Sequence, residues 1–337
     1  MTSAVGILSG GLDSSLVVKI LQNQGVEIHA LHFEILFAKK YQKNSEKYDK
    51  MRAAALEDGY TLHIVDIVDD YLVDVLKNPK YGYGKNMNPC LDCHIYMLKK
   101  AGEFMKKIGA DFIFTGEVLG QRPMTQMLEK LILINKVTGL GEYILRPLSA
   151  KLLEPTIPEK TGLIDRNKLE GIEGRGRKRQ IELAKIFGLK EYPSPAGGCL
   201  YTDPGFSYRI KDMMDHDPEF TARDIYFMKF GRHFRLDDCR IIVGRDFAEN
   251  TALEEANESF WRCSPETVPG PTSIIIQDSC SNKEISKEII QFSVDLVARY
   301  TKNQPVKVIV FSPDGTESII EGIPVKDEHS EQFRINL

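Results

Sequence analysis

A string of small and polar residues, Ser9-Gly10-Gly11-Leu12-Asp13-Ser14-Ser15, constrains this chain most. It follows the short apolar run Ala4–Leu8 and leads into a helical pattern from Ser14 through Leu21. A strand that turns sharply into a helix through two glycines aims several backbone N–H groups and the positive end of the helix dipole at one spot. Glycine lets the backbone come close to an anion. The hydroxyls of Ser9, Ser14 and Ser15 add donors. The loop has no lysine, so it is not a Walker A loop.

The rest of the amino-terminal part repeats the alternation. Val26–Phe33, Thr61–Val65 and Asp111–Thr115 read as further strands, and a helix passes through Ala53–Leu56. Strands separated by helices imply βαβ units, hence an α/β fold with a doubly wound parallel sheet. Such sheets bind ligands outside the carboxyl ends of their strands. The Ser9–Ser15 loop, the segment from His32 and Phe33 onward, and Gly116–Gln121 all fall at such ends.

A length of 337 residues suggests two domains. We expect a catalytic domain over 1–205, with an irregular, Pro- and Gly-rich basic insert over about 150–205. A linker helix and a smaller α+β domain would occupy 206–337, with strands at Cys239–Val243, Thr272–Ile276 and Val306–Phe311. Helices are expected at Asn250–Glu258 and Asn282–Arg299. A hydrophobic fraction of 42% excludes wholesale disorder, and a net charge of −4 excludes a uniformly basic nucleic-acid binder. No apolar run is long enough to span a membrane. The start lacks the basic and apolar regions of a secretory signal, so a cytoplasmic protein is expected.

Six cysteines in this length do not make a disulfide scaffold. Cys90-Leu91-Asp92-Cys93 opens an expected helix running to Ile108, where the helix N-terminus should favour thiolate. Cys199 follows in the Gly/Pro-rich segment Pro195–Leu200. Two or three thiolates suit zinc, an iron–sulfur cluster, or persulfide and disulfide chemistry. Cys239 sits in a strand pattern and reads as core; Cys263 and Cys280 carry no clear signal.

Ser9–Ser15 resembles the pyrophosphate-binding loop of the PP-loop ATP pyrophosphatase superfamily. These enzymes split ATP into AMP and pyrophosphate to adenylate a carbonyl oxygen, which a nucleophile then displaces. The resemblance implies that ATP sits on Ser9, Gly10, Gly11, Asp13, Ser14 and Ser15, with His32, Phe33, Gly116 and Gln121 around it. Asp13 would assist Mg²⁺ or the reacting centre. Cys90, Cys93 and Cys199 beside such a loop resemble the tRNA thiolation branch, in which sulfur replaces a uridine carbonyl oxygen. One sub-branch uses two cysteines and a persulfide, and the other a [4Fe–4S] cluster on three. Three candidate ligands favour the cluster. Thr115-Gly116-Glu117-Val118-Leu119-Gly120-Gln121 and Leu145-Arg146-Pro147-Leu148 resemble segments of tRNA 4-thiouridine synthetases, which implies 4-thiouridine at tRNA position 8. The RNA-binding segments that usually precede the catalytic domain of that family are not seen before Ser9.

Between Arg166 and Lys190 lie eight lysines and arginines against three glutamates. Of these, Arg175, Arg177, Lys178 and Arg179 form a compact cluster suited to RNA phosphates. Phe230–Arg235 and Ile242–Asn250 resemble an NFACT-R-type RNA-binding domain, which implies contacts from Arg232, Arg235 and Arg245. The expected partners are tRNA and a sulfur donor, either a cysteine desulfurase or free sulfide, with a homodimer allowed and no membrane. Three alternatives stay open. They are persulfide-based wobble 2-thiouridine synthesis, a PP-loop amidation ligase, and a non-catalytic RNA-binding protein with structural zinc.

Overall fold

The computed structural model describes all residues except 9, 36–44, 190–198, 256–259, 303–305 and 336–337. The chain divides into two compact units, Met1–Cys199 and Leu200–Leu337.

The first unit is built on five parallel strands: β1 (Ser3–Ile7), β2 (Glu27–Glu34), β3 (Thr61–Asp66), β4 (Phe112–Thr115) and β5 (Ile144–Leu145). Their order is β3-β2-β1-β4-β5. Ile7 at the end of β1 is level with Leu31 on one side and Thr115 on the other. The chain leaves β1 toward β2 and later returns to the opposite side as β4. The direction of winding therefore reverses between β1 and β4, and a crevice opens at their carboxyl ends.

The helices of this unit are α1 (Leu12–Gln22), α2 (Ser45–Glu57), α3 (Val68–Tyr71), α4 (Cys90–Ile108), α5 (Leu128–Thr138), α6 (Ile157–Lys160) and α7 (Lys178–Ile186). Strand alternation divides the core between the two faces of the sheet. Ala4, Phe112 and Phe114 pack with Leu16, Val17 and Leu21 of α1 and Leu183 of α7. Val5 and Ile113 pack on the other face, with Leu91, Ile95, Leu98 and Met105 of α4. Those α4 residues recur at helical spacing, and the helix ends at Gly109 in the left-handed conformation, φ 71°. The doubly wound architecture is thus as expected.

The second unit contains α8 (Pro204–His216), α9 (Ala222–Phe227), β6 (Arg232–Leu236), β7 (Cys239–Val243), α10 (Phe247–Glu254), β8 (Trp261–Pro265), β9 (Ser273–Gln277), α11 (Lys287–Arg299), β10 (Val306–Phe311), β11 (Glu317–Gly322) and α12 (Asp327–Gln332). Its sheet is antiparallel, in the order β11-β10-β8-β9-β7-β6. One face of α11, including Ile289, Val294 and Val297, packs on Ile241, Ile275 and Val308. Helix α10 starts earlier than expected because Asp246 caps it, accepting from Glu249 N at 3.0 Å. Helix α11 starts later because Ser286 is its cap. Cys239 and Cys263 are buried in this core, and burial pushes their thiols up to about 12 and about 11. Cys280 is exposed, with Sγ 3.5 Å from His216 O.

Candidate functional site

Gly10 turns the chain out of β1 with φ +73°, a conformation that side chains disfavour, and Gly11 caps α1. Ser15 N bonds back to Gly11 O at 3.1 Å, which closes the first turn. Asp13 and the buried Ser14 therefore sit on that first turn, at the positive end of the α1 dipole. Ser9 lies outside the described residues. His32 and Phe33 lie near the carboxyl end of β2; Phe33 packs on the α4 face of the sheet, and His32 is half-buried on the other.

The loop after β4 closes on this turn. A Cβ on Gly116 would lie 3.0 Å from both Asp13 C and Ser14 N, so only glycine fits there without displacing α1. Gln121 Nε2 donates to Asp13 Oδ2 at 3.2 Å. Burial raises the Asp13 carboxyl pKa, opposed by the Gln121 side chain, the charge of Arg177, the Gln180 side chain and the charge of Arg122. Glu117, in the same loop, points inward. Its Oε2 accepts from Arg146 Nε at 2.9 Å and from Thr115 Oγ1 at 3.0 Å, and His94 Nε2 lies 3.7 Å from its Oε1. Arg146 also gives two bonds to Asn135 Oδ1, each 3.2 Å. Burial would raise Glu117, but Arg146, His94 and Thr115 outweigh it and hold the carboxyl below its ordinary value. Glu117 and Arg146 thus brace the loop from inside, while Gly116 and Gln121 face Asp13.

A third segment, which sequence reasoning read as part of an irregular insert, completes the frame. Gly174 N donates to Leu119 O at 2.7 Å, and Leu119 N donates to Ser149 Oγ at 2.9 Å. This pins residues 173–177 along the β4 loop and delivers the start of α7 to Asp13. Gln180, in the first turn of α7, is fully buried. Its amide faces the Asp13 carboxylate, though no hydrogen bond of good geometry joins Asp13 Oδ1 to either amide atom.

Two of the three candidate cysteines lie together at the start of α4. Cys90 and Cys93 occupy its first turn, which is anchored by Asp92 accepting from Lys80 N at 2.9 Å and Tyr81 N at 3.0 Å. Cys90 stands beside Asn88 and Thr125, and Cys199 is close enough for its charge to act on both other thiols. Burial, together with that charge, raises Cys90. Burial pushes Cys93 up to about 12, against a stabilising hydrogen bond from Tyr71. Burial thus works against the thiolate form that a helix N-terminus was expected to favour. Cys199 is exposed, and most of the Pro195–Leu200 segment lies outside the described residues. Among the described residues no three His, Cys, Asp or Glu side chains are grouped to hold a metal ion.

The turn from Gly120 to Gln126, closed by Gly120 N to Gln126 O at 2.8 Å, links the two halves. Gln121 touches Asp13 at one end, Thr125 stands beside Cys90 at the other, and the charge of Arg122 acts on both. Sequence reasoning missed Arg122, Thr125 and Gln180. Arg122 directly follows the recognised Thr115–Gln121 string, and Gln180 lies three residues after Arg177, one helical turn along.

The members of the basic cluster have different surroundings. Arg179 is held by Glu170, at 2.9 and 3.0 Å, and by Glu182 at 3.4 Å. Arg177 directs its charge at Asp13, while Arg175 and Lys178 are exposed. In the second unit, Arg235 commits its donors to Asp212 and Asp278, with bonds of 2.7 to 3.3 Å. Arg245 pairs with Glu249, and Arg232 stacks 4.3 Å over Tyr300. Among the described residues no helix is long and apolar enough to cross a membrane.

Residues 1–152 match the family model described as thiamine biosynthesis protein (ThiI), and residues 231–334 match the NFACT protein RNA binding domain. Over 117 residues the chain is 33% identical to a tRNA-specific 2-thiouridylase MnmA of Sulfurimonas denitrificans, covering 33% of each chain. Over 146 residues it is 35% identical to a probable tRNA sulfurtransferase of Lysinibacillus sphaericus, covering 42% of this chain and 33% of that one. The chain thus spans about a third of the length of these curated relatives. A crystal structure of a 4-thiouridine synthetase–RNA complex with bound ATP is similar at 20% identity and a TM-score of 0.36, covering 67% of this chain and 53% of that one.

Proposed function

We propose that this chain, with a ThiI-type domain over residues 1–152 and an NFACT-type RNA-binding domain over 231–334, is an ATP-dependent tRNA uridine sulfurtransferase. One observation carries the reading. A single turn, residues 120–126, bonds the acid of a phosphate loop at one end and stands beside the Cys90 thiol at the other. An activating site and a sulfur site thereby share one wall.

ATP lies with its phosphates on Gly10–Ser15 and the N-terminus of α1. The uridine carbonyl oxygen attacks the α-phosphate, and pyrophosphate leaves. Sulfur held among Cys90, Cys93 and Cys199 then attacks the activated carbon, and AMP departs with the original oxygen. The buried, unpartnered Asp13 Oδ1 is a hard donor of the kind Mg²⁺ takes, and bound Mg²⁺ would offset phosphate charge. Cys90, Cys93 and Cys199 are the side chains that would hold a [4Fe–4S] cluster, and a bound cluster would supply an open iron to hold sulfide. The Thr115–Gln121 loop favours 4-thiouridine at position 8, and the MnmA relative keeps wobble 2-thiouridine as the second reading. Arg175 and Lys178 in the first unit, and Arg232 and Arg245 in the second, are offered as RNA contacts.

The test is AMP release from labelled ATP. Unmodified tRNA added to the purified protein should trigger it, with pyrophosphate formed in equal amount. ATP turnover indifferent to tRNA, or AMP release that requires ammonia, would overturn the assignment.

A further inference from the structure

We propose that Arg122 and Arg177, carried by the two segments that flank Asp13, form a two-arginine clamp on the phosphate chain of the nucleotide. The clamp rests on the ATP reading above and extends it to residues that the phosphate loop does not contain. That loop holds no cation between Ser9 and Ser15, and Lys19, further along α1, lies 3.6 Å from Asp58. The charge that meets a triphosphate must therefore come from elsewhere.

The fold supplies it from two sides. Arg122 follows Gln121, whose amide holds Asp13 Oδ2 at 3.2 Å. Arg177 caps α7, whose start is pinned to the β4 loop by the Gly174–Leu119 hydrogen bond of 2.7 Å. Among the described residues neither arginine makes an ion pair, whereas Arg179, two residues on, is tied to Glu170 and Glu182. The charges of both act on Asp13 without bonding to it. Two unpaired guanidiniums held near one carboxylate leave their forks available to an anion.

A buried donor beside Asp13 is compatible with the same ligand. Gln180 is fully buried and its amide faces the Asp13 carboxylate, but neither its amide atoms nor Asp13 Oδ1 has a hydrogen bond of good geometry. Buried polar atoms without good hydrogen bonds are costly, and of these Gln180 Nε2 is a donor that a phosphate oxygen can take, while Asp13 Oδ1 and Gln180 Oε1 are acceptors that call for a cation or a hydroxyl. The matching ligand class is the pyrophosphate portion of ATP. Its charge grows as the bond to the α-phosphate breaks, so the clamp stabilises the leaving group.

The test is equilibrium binding of ATP, inorganic pyrophosphate and AMP to the full chain and to Arg122→Gln, Arg177→Gln and Arg177→Lys. Matched thermal midpoints confirm folding. If Arg177→Gln fails to fold, Arg122→Gln and Arg177→Lys carry the test. Each Gln variant should bind ATP and pyrophosphate roughly tenfold to a hundredfold more weakly, the range of a charge-assisted hydrogen bond. AMP affinity should stay within about threefold, and Arg177→Lys should recover part of the loss. ATP and pyrophosphate affinities unchanged in both Gln variants would overturn the clamp. So would equal losses for AMP and ATP, because the arginines would then act on the nucleoside or the fold. Arginine-dependent binding of pyrophosphate without binding of ATP would uphold the clamp and defeat the adenylation reading. Binding of neither by the wild-type chain would defeat both.

Discussion

Replacing Arg146 by methionine should unlock the loop that carries Gly116 and Gln121. The side chains of Arg146 and Glu117 are only 3% and 7% exposed, and they meet at 2.9 Å. Removing one member of such a pair leaves a buried, uncompensated charge and costs about 3–5 kcal/mol. Asn135 Oδ1 also loses both of its 3.2 Å donors. The sign of the pH dependence should invert. In the wild type Glu117 is held below its ordinary value of 4.5, so its contribution is present above that pH and fades as pH falls through the folded value. Without Arg146, burial dominates and the carboxyl pKa rises. The variant should then recover part of its loss as pH drops from about 7 to about 5, because protonation removes the buried charge. Hydrogen exchange of the β4 and β5 peptides, corrected for the intrinsic pH dependence, reads this locally. At neutral pH the variant should exchange these amides about a hundred to several thousand times faster, with β9 of the second unit as internal reference. A loss below about 1 kcal/mol, or an equal loss at both pH values, would refute the bracing role.

Two further outcomes follow from the same geometry. Gly116→Ala places a methyl 3.0 Å from the α1 backbone. It should cost about 1–3 kcal/mol of stability and, by shifting Asp13 and Ser14, at least about tenfold in ATP affinity, read by calorimetric titration. Purified without oxygen, the protein should carry about four irons with matching sulfide, and the broad visible absorption should vanish in a Cys90/Cys93/Cys199 triple alanine variant.

The parallel sheet was legible because β1, β2, β3 and β4 are apolar runs broken by helical periods, and the loops they feed were placed correctly at the carboxyl edge. β5 escaped because two residues carry no pattern. The third wall, residues 173–180, escaped for a different reason. Its place beside Asp13 depends on hydrogen bonds from Gly174 to Leu119 and from Leu119 to Ser149, tertiary links that no local motif announces. Arg177 and Arg179 looked equivalent in sequence; one meets Asp13 and the other Glu170, a distinction only packing creates. The thiols show the same limit. The spacing of Cys90 and Cys93 indicated a helix N-terminus, but not the burial that raises the Cys90 thiol.

The most direct test is the sulfur content of the product. Unmodified tRNA, ATP and sulfide would be incubated with the protein without oxygen, and the tRNA digested to nucleosides for mass spectrometry. The account predicts one thiolated uridine per AMP released, and none from Cys90→Ala or Cys199→Ala variants that still bind ATP. AMP release with no sulfur in the tRNA, or full thiolation by those variants, would contradict it.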